Sequence, residues 1–246
     1  MKCIILAAGY ATRLYPLTEN FPKPLLKVGG KAIIDWLVDD ILSSRLVDEF
    51  VVVSNHRFAD HFRKWAAARP ARRARFTVVD DGTSTNETRL GAVRDILFAV
   101  ETLGIDDDLL VVAGDNILDF SLVEFIRYAE IMDASCIMRY YEPDEARLRK
   151  SGIVEVDEDD RIVGMEEKPA EPKSHWCCPP FYFYRREDAG RVAEGIAAGC
   201  GVDAPGSFAA WLSARTPMYA MEMPGRRYDI GDLASYRRVC DLFKPE

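Results

Sequence analysis

The sequence lacks the patterns that mark several common classes of protein. Its six cysteines include no C-x-x-C pair, and its three histidines have no zinc-ligand spacing, so a structural metal centre is not expected. Neither G-x-G-x-x-G nor the P-loop G-K-[ST] occurs, which leaves dinucleotide and P-loop ATPase sites unsupported. Acidic residues outnumber basic ones by 40 to 32, and the net charge of −8 does not favour a nucleic-acid partner.

Long hydrophobic runs are also missing. No apolar run approaches the ~18 residues that a membrane-spanning helix needs. The first eight residues contain one lysine and a short apolar run that leads directly into a glycine turn, which is typical of a buried strand and not of a signal peptide. We therefore expect a cytoplasmic protein without a membrane partner.

Short apolar runs alternate with amphipathic stretches through the first half of the chain. The predicted strands are 3–7, 50–53, 75–79 and 109–113, and the predicted helices are 32–42, 58–68, 90–103 and 122–132. Continuous apolar strands separated by helices indicate a parallel sheet that is covered on both faces. Right-handed crossovers then give a doubly wound α/β fold with a mostly parallel, Rossmann-like sheet.

The pattern changes after Ser135. Residues 152–156 and 161–165 predict a hairpin around an acidic turn, and 181–184 predict a further strand. Helices are predicted at 186–198, 207–213 and 234–243. Because no Gly/Ser/Pro-rich linker separates the halves, we predict a single domain over 1–246. Its halves are about 1–133 and about 134–246, and the second half adds the hairpin to the same sheet.

The turn after the first strand is a candidate ligand site. It contains Leu6, Ala7, Ala8 and Gly9, and small residues there let backbone N–H groups approach phosphate oxygens. Further along, Lys23 stands between two prolines, which fix the backbone and so hold the ammonium group in place. A surface lysine without a positioning role does not need such a loop.

Together these segments resemble the signature of the sugar-phosphate nucleotidyltransferases, the nucleotide-sugar pyrophosphorylases. The family pattern is approximately G-x-G-T-R-x-x-P-x-T followed by P-K-P, and the matching residues are Ala7-Ala8-Gly9, Thr12-Arg13-Leu14-Tyr15-Pro16-Leu17-Thr18 and Pro22-Lys23-Pro24. Ala11 departs from the pattern, since the family usually has its second glycine there. Alanine is costly at positive φ, so the loop's backbone is expected to be affected.

The resemblance implies a fold of the nucleotide-diphospho-sugar transferase type. It also implies transfer of NMP from an NTP to a sugar 1-phosphate, with release of pyrophosphate and formation of an NDP-sugar. Arg13 and Lys23 are then the catalytic residues that grip the triphosphate. The predicted nucleotide-binding residues are Leu6, Ala7, Ala8, Gly9, Thr12, Asn86 and Gly91. Asn86 replaces the glutamine that commonly reads the nucleobase, while Asp80 and Asp81 in the same loop fit Asx turns better.

Two aspartates are predicted to bind Mg²⁺. Asp115 follows the apolar strand 109–113, so its carboxylate emerges at the edge where ligands bind in such a sheet. Asp229 lies in Tyr228-Asp229-Ile230-Gly231-Asp232, which resembles the second acidic motif of the family. Asp232 fits a helix N-cap better than a metal ligand.

The acceptor half-site is predicted from the hairpin. Glu167 and Lys168 resemble the family's E-K-P motif, in which the glutamate bonds sugar hydroxyls and the lysine binds the sugar phosphate. Gly152 matches a glycine whose amide contacts the sugar. Residues 177–181 depart from the Thr-Gly turn that many members have, and the aromatic residues around them are expected to be core.

Two other functions remain open at this point. The altered segment 177–181 keeps open, as an alternative, a cytidylyltransferase that acts on phosphocholine, a phosphonate or another alcohol phosphate. A binding protein that senses nucleotide without turnover is disfavoured, because such members lose charged site residues that are present here. The sequence leaves self-association as a homo-oligomer open.

Overall fold

A computed structural model of the chain describes residues 1–70 and 73–244. Contacts divide the chain into two compact units that alternate along the sequence. The amino-terminal unit comprises Cys3–Arg89, Ala113–Val123 and Gly225–Glu246, and the central unit comprises Met1–Lys2, Leu90–Val112 and Glu124–Pro224. The single-domain organisation with halves near residue 133 stays a prediction.

Strands and helices alternate along the described chain, so the predicted α/β fold class is confirmed. The strands are β1 Lys2–Leu6, β2 Lys27–Val28, β3 Lys31–Ala32, β4 Glu49–Ser54, β5 Arg75–Asp80, β6 Leu109–Ala113, β7 Asn116–Leu118, β8 Ser135–Tyr141, β9 Gly152–Val156, β10 Ile162–Glu167, β11 Trp176–Cys178, β12 Phe181–Tyr184, β13 Met218–Glu222 and β14 Arg227–Asp229. The helices are α1 Ile33–Ser44, α2 Ala59–Ala67, α3 Ala92–Leu103, α4 Val123–Met132, α5 Glu145–Leu148, α6 Arg186–Ala189, α7 Val192–Ala197, α8 Gly206–Ser213 and α9 Leu233–Leu242.

The amino-terminal unit contains three of the four strands that the sequence predicts in the first half of the chain. Its sheet has the order β1-β4-β5, with β4 parallel to β5. The four residues Phe50 to Val53 of β4 are fully buried, which explains their uninterrupted apolar run. Two short antiparallel ribbons, β2–β3 and β7–β14, complete the strands described in this unit.

A hydrophobic cluster in the amino-terminal unit connects the loops after β1 with the β7–β14 ribbon. Its buried members are Leu14, Val28, Ile33, Ile117, Ile230 and Val239. Leu14 follows Arg13 directly, and Ile230 follows Asp229. The two segments that carry predicted site residues are therefore packed on a common core.

The central unit contains a mixed sheet with the order β10-β9-β11-β8-β12-β6, and β13 pairs in parallel with β8. The predicted hairpin is confirmed, since β9 and β10 are antiparallel neighbours with Glu167 opposite Gly152. β11 is antiparallel to β9 on its other side, with Cys178 opposite Gly152. One row of the sheet therefore contains Glu167, Gly152 and Cys178.

Two parts of the central unit differ from the prediction. The helix predicted at 186–198 is interrupted, because α6 ends before Gly190 and α7 begins at Val192. The strands β8, β11 and β13 were not predicted. β8 contains the buried residue Arg139. Its burial is tolerated because its guanidinium pairs with Asp160 at 2.5 Å and lies over the Trp176 ring. A buried arginine breaks the apolar run by which the other central strands were found.

In the described ranges, 1–70 and 73–244, every helix is too short or too polar to cross a membrane.

Candidate active site

The loop after β1 is fixed by backbone and amide hydrogen bonds within the amino-terminal unit. The N–H of Ala7 donates to the carbonyl of Val53 at 2.9 Å, and the Asn55 amide donates to the carbonyl of Ala8 at 2.9 Å. Ala7 and Ala8 are buried, whereas Gly9 is exposed, and a side chain built at Gly9 would contact nothing within 4 Å. This part of the loop therefore faces open space, as a phosphate-binding backbone requires.

Ala11 adopts a left-handed conformation, with φ 46° and ψ 43°. Its carbonyl accepts hydrogen bonds from the Leu14 N–H at 2.9 Å and from the Thr18 hydroxyl at 2.8 Å. These bonds set the single 3₁₀ turn Thr12–Leu14, which carries Thr12 and Arg13. The alanine thus holds the conformation that the sequence identifies as costly at this position.

Lys23 joins two predicted parts of the site. Its Nζ lies 2.5 Å from Oδ2 of Asp115 and donates to the carbonyl of Ile230 at 2.7 Å. The lysine side chain is 12% exposed and the aspartate side chain 29%, so the ion pair is largely shielded from solvent. Lys23 begins the 3₁₀ turn Lys23–Leu25, in which Pro22 is the N-cap and Pro24 the second residue.

Asp115 is ionised because of its neighbours. Burial by itself would raise the pKa of Asp115, but the cations of Lys23 and Arg227 outweigh burial and hold that pKa below its ordinary value. The other carboxylate oxygen, Oδ1, accepts a hydrogen bond from the Asn116 amide at 2.8 Å. Arg227 in turn donates to the Asn116 side-chain oxygen at 2.9 Å. The sequence did not identify Asn116 or Arg227 as site residues.

The β7–β14 ribbon brings the segments that contain Asp115 and Asp229 together. Asp229 is paired with Asn116 in the antiparallel register, so it lies across from the residue that follows Asp115. A side chain built at Gly231 would lie 3.9 Å from both terminal nitrogens of Arg13 and 4.0 Å from Oδ2 of Asp229. Arg13, Lys23, Asp115 and Asp229 are therefore neighbours at one end of this ribbon.

Asp232 is the N-cap of α9, as predicted. Its Oδ1 accepts the N–H of Ser235 at 2.7 Å, and the Ser235 hydroxyl accepts the N–H of Asp232 at 3.0 Å. The Ser235 N–H lowers the pKa of Asp232. Because its carboxylate is used in this way, Asp229 is the better candidate for a metal ligand.

The donor set at the ribbon suits a metal ion only in combination with a substrate. Among the described residues, no three or more His, Cys, Asp or Glu side chains converge on a point that could hold a metal. Mg²⁺ in phosphate-transfer sites typically takes one or two carboxylates and completes its octahedron with substrate phosphates and waters. Asp115 and Asp229 fit that arrangement.

The predicted nucleobase residues lie in different units. Asn86 is exposed in the 3₁₀ turn Asn86–Thr88 of the amino-terminal unit, where Thr85 and Thr88 cap the turn reciprocally. Asp80 accepts the Gly82 N–H and Asp81 accepts the Thr83 N–H, at 2.9 and 2.7 Å, so the predicted Asx turns are confirmed.

Gly91 precedes α3 in the central unit. Its φ is 92°, and a side chain there would lie 2.5 Å from the carbonyl oxygen of Val202. Backbone conformation and close packing both require glycine at this position, independently of any nucleotide.

The predicted acceptor residues are brought together in the central unit. Glu167 lies opposite Gly152, and Lys168 follows with φ 50° while its N–H donates to the Ser151 carbonyl at 3.0 Å. Burial raises the pKa of Glu167, and Lys168 offsets part of that rise. Tyr182 is buried and stacked on Tyr184, so the expectation that the aromatic residues are core is confirmed there.

The sequence model of the nucleotidyl transferase family matches residues 2–243. The chain belongs to this family. A glucose-1-phosphate thymidylyltransferase from Mycolicibacterium smegmatis is 31% identical over 185 residues, which cover 75% of this chain and 61% of that protein. The bifunctional protein GlmU of Methanocaldococcus jannaschii is 29% identical over 178 residues, covering 71% of this chain and 38% of its own length.

The chain therefore spans less than two thirds of the length of these curated relatives. A solved UDP-glucose pyrophosphorylase in complex with UDP-glucose has a TM-score of 0.81 at 20% identity, and the match covers 98% of this chain and 97% of that one. This likeness shows a shared fold and agrees with the doubly wound α/β architecture.

Replacing Ala11 by glycine should stabilise the protein. Glycine removes the left-handed strain of alanine, on the order of 1–2 kcal/mol, but adds backbone entropy to the unfolded chain, so we expect a net gain of up to about 1 kcal/mol. Ala8→Gly is the matched control in the same loop. Ala8 has a negative φ and is buried, so its replacement should lower the free energy of unfolding by about 1 kcal/mol. Urea denaturation of both variants measures the difference, and a loss of stability in Ala11→Gly would contradict the strain at this position.

Proposed function

We propose that this chain transfers a nucleoside monophosphate from an NTP to a sugar 1-phosphate, which releases pyrophosphate and forms an NDP-sugar. The observation that carries the proposal is the grouping of Arg13, Lys23, Asp115 and Asp229 at one end of the β7–β14 ribbon. Two cations and two carboxylates in one place suit a reaction in which charge develops on phosphate oxygens. Family membership supports the same reaction class.

The reaction needs positioning and charge stabilisation more than proton transfer. An oxygen of the acceptor phosphate attacks the α-phosphorus, and the bond from that phosphorus to the β-phosphate oxygen breaks, so pyrophosphate leaves. Because the acceptor phosphate is already ionised near neutral pH, no general base is required. Arg13 stabilises the charge on the α-phosphate, and Lys23, held by Asp115 and the Ile230 carbonyl, contacts the triphosphate.

Asp115 and Asp229 are the proposed ligands of a Mg²⁺ cofactor. When bound, the ion neutralises phosphate charge and stabilises the leaving pyrophosphate. The low pKa of Asp115 supports this role, since the ligand is already ionised before the metal binds. Asn116 orients the same carboxylate through its other oxygen.

The remaining predicted residues are proposed to bind different parts of the two substrates. Backbone groups of Leu6, Ala7, Ala8 and Gly9 bind phosphate together with Thr12, while Asn86 and Gly91 border the nucleobase. Glu167 accepts hydrogen bonds from sugar hydroxyls, Lys168 binds the sugar phosphate and Gly152 contributes its amide. Nucleoside triphosphates are cytosolic metabolites, so we place the reaction in the cytoplasm.

A substrate panel tests the proposed function directly. Purified protein is incubated with each of the four common NTPs and dTTP, with Mg²⁺, against several sugar 1-phosphates and phosphocholine, and pyrophosphate release is measured. We expect turnover with at least one sugar 1-phosphate. Turnover with phosphocholine alone would show that the acceptor is an alcohol phosphate and not a sugar 1-phosphate. Nucleotide binding without pyrophosphate release for any pair of substrates would refute the proposal that the protein is an enzyme.

Substitutions should separate the catalytic cations from the acceptor lysine. Lys23→Ala and Arg13→Ala should each lower kcat by on the order of 10²-fold or more, because each removes a donor to transition-state charge. Lys168→Ala should instead raise KM for the sugar 1-phosphate and largely spare KM for the NTP. Steady-state kinetics with each substrate varied in turn measure the difference, and an equal loss for both substrates in Lys168→Ala would show that the half-sites are wrongly drawn.

Asp232, three residues after Asp229, provides a matched control for substitutions of the two predicted metal ligands. Asp115→Asn and Asp229→Asn should lower Mg²⁺-dependent turnover by on the order of 10³-fold, since an amide is a poor ligand for this ion. Asp232→Asn removes the same charge but keeps a capping side chain, so its turnover and Tm should stay near those of the wild type. Mg²⁺ titrations of initial rate distinguish the variants. Retained Mg²⁺-dependent activity in Asp229→Asn would exclude Asp229 as a ligand, and loss of activity in Asp232→Asn together with that retention would point to Asp232 instead.

A further inference from the structure

Two glycines from different elements border the carboxylate of Glu167. Gly152 is the first residue of β9, and Gly206 is the first residue of α8. A side chain built at Gly152 would lie 2.8 Å from Oε2 of Glu167. One built at Gly206 would collide with the same oxygen, would lie 3.3 Å from Cδ of Glu167 and would lie 3.4 Å from the Tyr182 hydroxyl.

Neither glycine is required by its backbone conformation. Positive φ values occur at Gly91 and Gly199 in the same unit, but not at Gly152 or Gly206. At Gly206 the three nearest atoms to an added side chain belong to Glu167 and Tyr182, and the first two are the carboxylate of Glu167. The missing side chain at Gly206 is therefore explained by the place that the Glu167 carboxylate occupies.

The nature of the obstacle decides what a side chain at Gly206 would do. The carboxylate is the far end of a flexible side chain, so the protein can accommodate a methyl group by rotating Glu167 away and need not move its backbone. Alanine also suits the first turn of a helix better than glycine does. The substitution should therefore change the stability of the fold little, and its main effect should be to displace the Glu167 carboxylate.

We propose that Gly206 is a positioning residue for acceptor recognition, because its lack of a side chain admits the Glu167 carboxylate to the place from which it accepts hydrogen bonds from acceptor hydroxyls. This inference rests on the proposed function, in which Glu167 binds the sugar. Gly206 lies 39 positions after Glu167 in the sequence and belongs to no motif of the family signature. Only the packing of α8 against β10 brings the two residues together.

The test compares Gly206→Ala with Gly190→Ala. Gly190 follows α6 in the same unit, and a side chain there would make only ordinary contacts, at 3.6 and 3.7 Å, with carbonyl oxygens of Glu187 and Arg186. Gly152 is unsuitable for this purpose, because its own amide is a proposed acceptor contact. The substrates are the NTP and the sugar 1-phosphate that give the highest kcat/KM in the panel.

We expect Gly206→Ala to raise KM for the sugar 1-phosphate by about tenfold or more, as the loss of hydrogen bonds to a charged group does. KM for the NTP should change less than about twofold, and Tm should stay within about 2 °C of the wild type. Gly190→Ala should leave both KM values unchanged. Weaker acceptor binding can also be measured without turnover, because a higher concentration of sugar 1-phosphate is then needed to raise Tm.

A double substitution separates this inference from the proposed function. If Gly206 acts through Glu167, then Gly206→Ala should have no further effect on acceptor KM in a Glu167→Ala background. An unchanged acceptor KM in Glu167→Ala alone would refute the proposed role of Glu167. An effect of Glu167→Ala without one of Gly206→Ala, or equal effects of Gly206→Ala in both backgrounds, would overturn the role of Gly206. A fall in Tm with equal loss for both substrates would also overturn it.

Discussion

The ion pair between Lys23 and Asp115 is the interaction on which the candidate site depends. The ammonium lies 2.5 Å from the carboxylate and 2.7 Å from the carbonyl of Ile230, which is 207 positions later in the sequence. One cation thereby connects the loop after β1, the turn after β6 and the segment after β14. The cluster containing Leu14, Ile117 and Ile230 lies in the same unit and fixes the segments that carry the charged groups. Without Lys23, Asp115 would lose its nearest cation, and the pKa of its carboxyl would rise, with Arg227 left to oppose the effect of burial.

The sequence was most informative where burial alone determines the structure. The predicted bounds of β6, β9 and β12 agree with the observed strands, because each is a compact apolar or alternating run with clear ends. β8 was missed since a buried Arg139 interrupts its pattern, and β7 and β14 were missed because strands of three residues have no periodicity of their own. Such ribbons form only when two distant segments pair, and that pairing is what brings Asp229 across from Asn116.

A similar limit applies to the site. Lys23, Asp115 and Glu167 could be predicted because each stands in a local motif with a recognisable order of residues. Asn116, Arg227 and Gly206 could not, because their relevance lies in contacts with residues far away in the sequence; the Arg227–Asn116 bond, for example, spans 111 positions. An asparagine or a glycine carries no chemical signal of its own. Its relevance becomes visible only when the structure shows that its neighbour is a carboxylate of the candidate site.

The backbone of the two half-sites shows where the chain tolerates strain and where it avoids crowding. Ala11 and Lys168 both have positive φ without being glycine, at 46° and 50°, and each stands in a predicted substrate-binding motif. Gly152 and Gly206 have no such conformation, yet each is glycine beside Glu167. Strain at a non-glycine residue costs folding energy but fixes a turn, whereas a glycine without strain leaves room for a neighbouring group. Ala11 and Lys168 thus fix backbone that is proposed to bind the nucleotide phosphates and the sugar phosphate. Gly152 and Gly206 leave the space that the Glu167 carboxylate occupies.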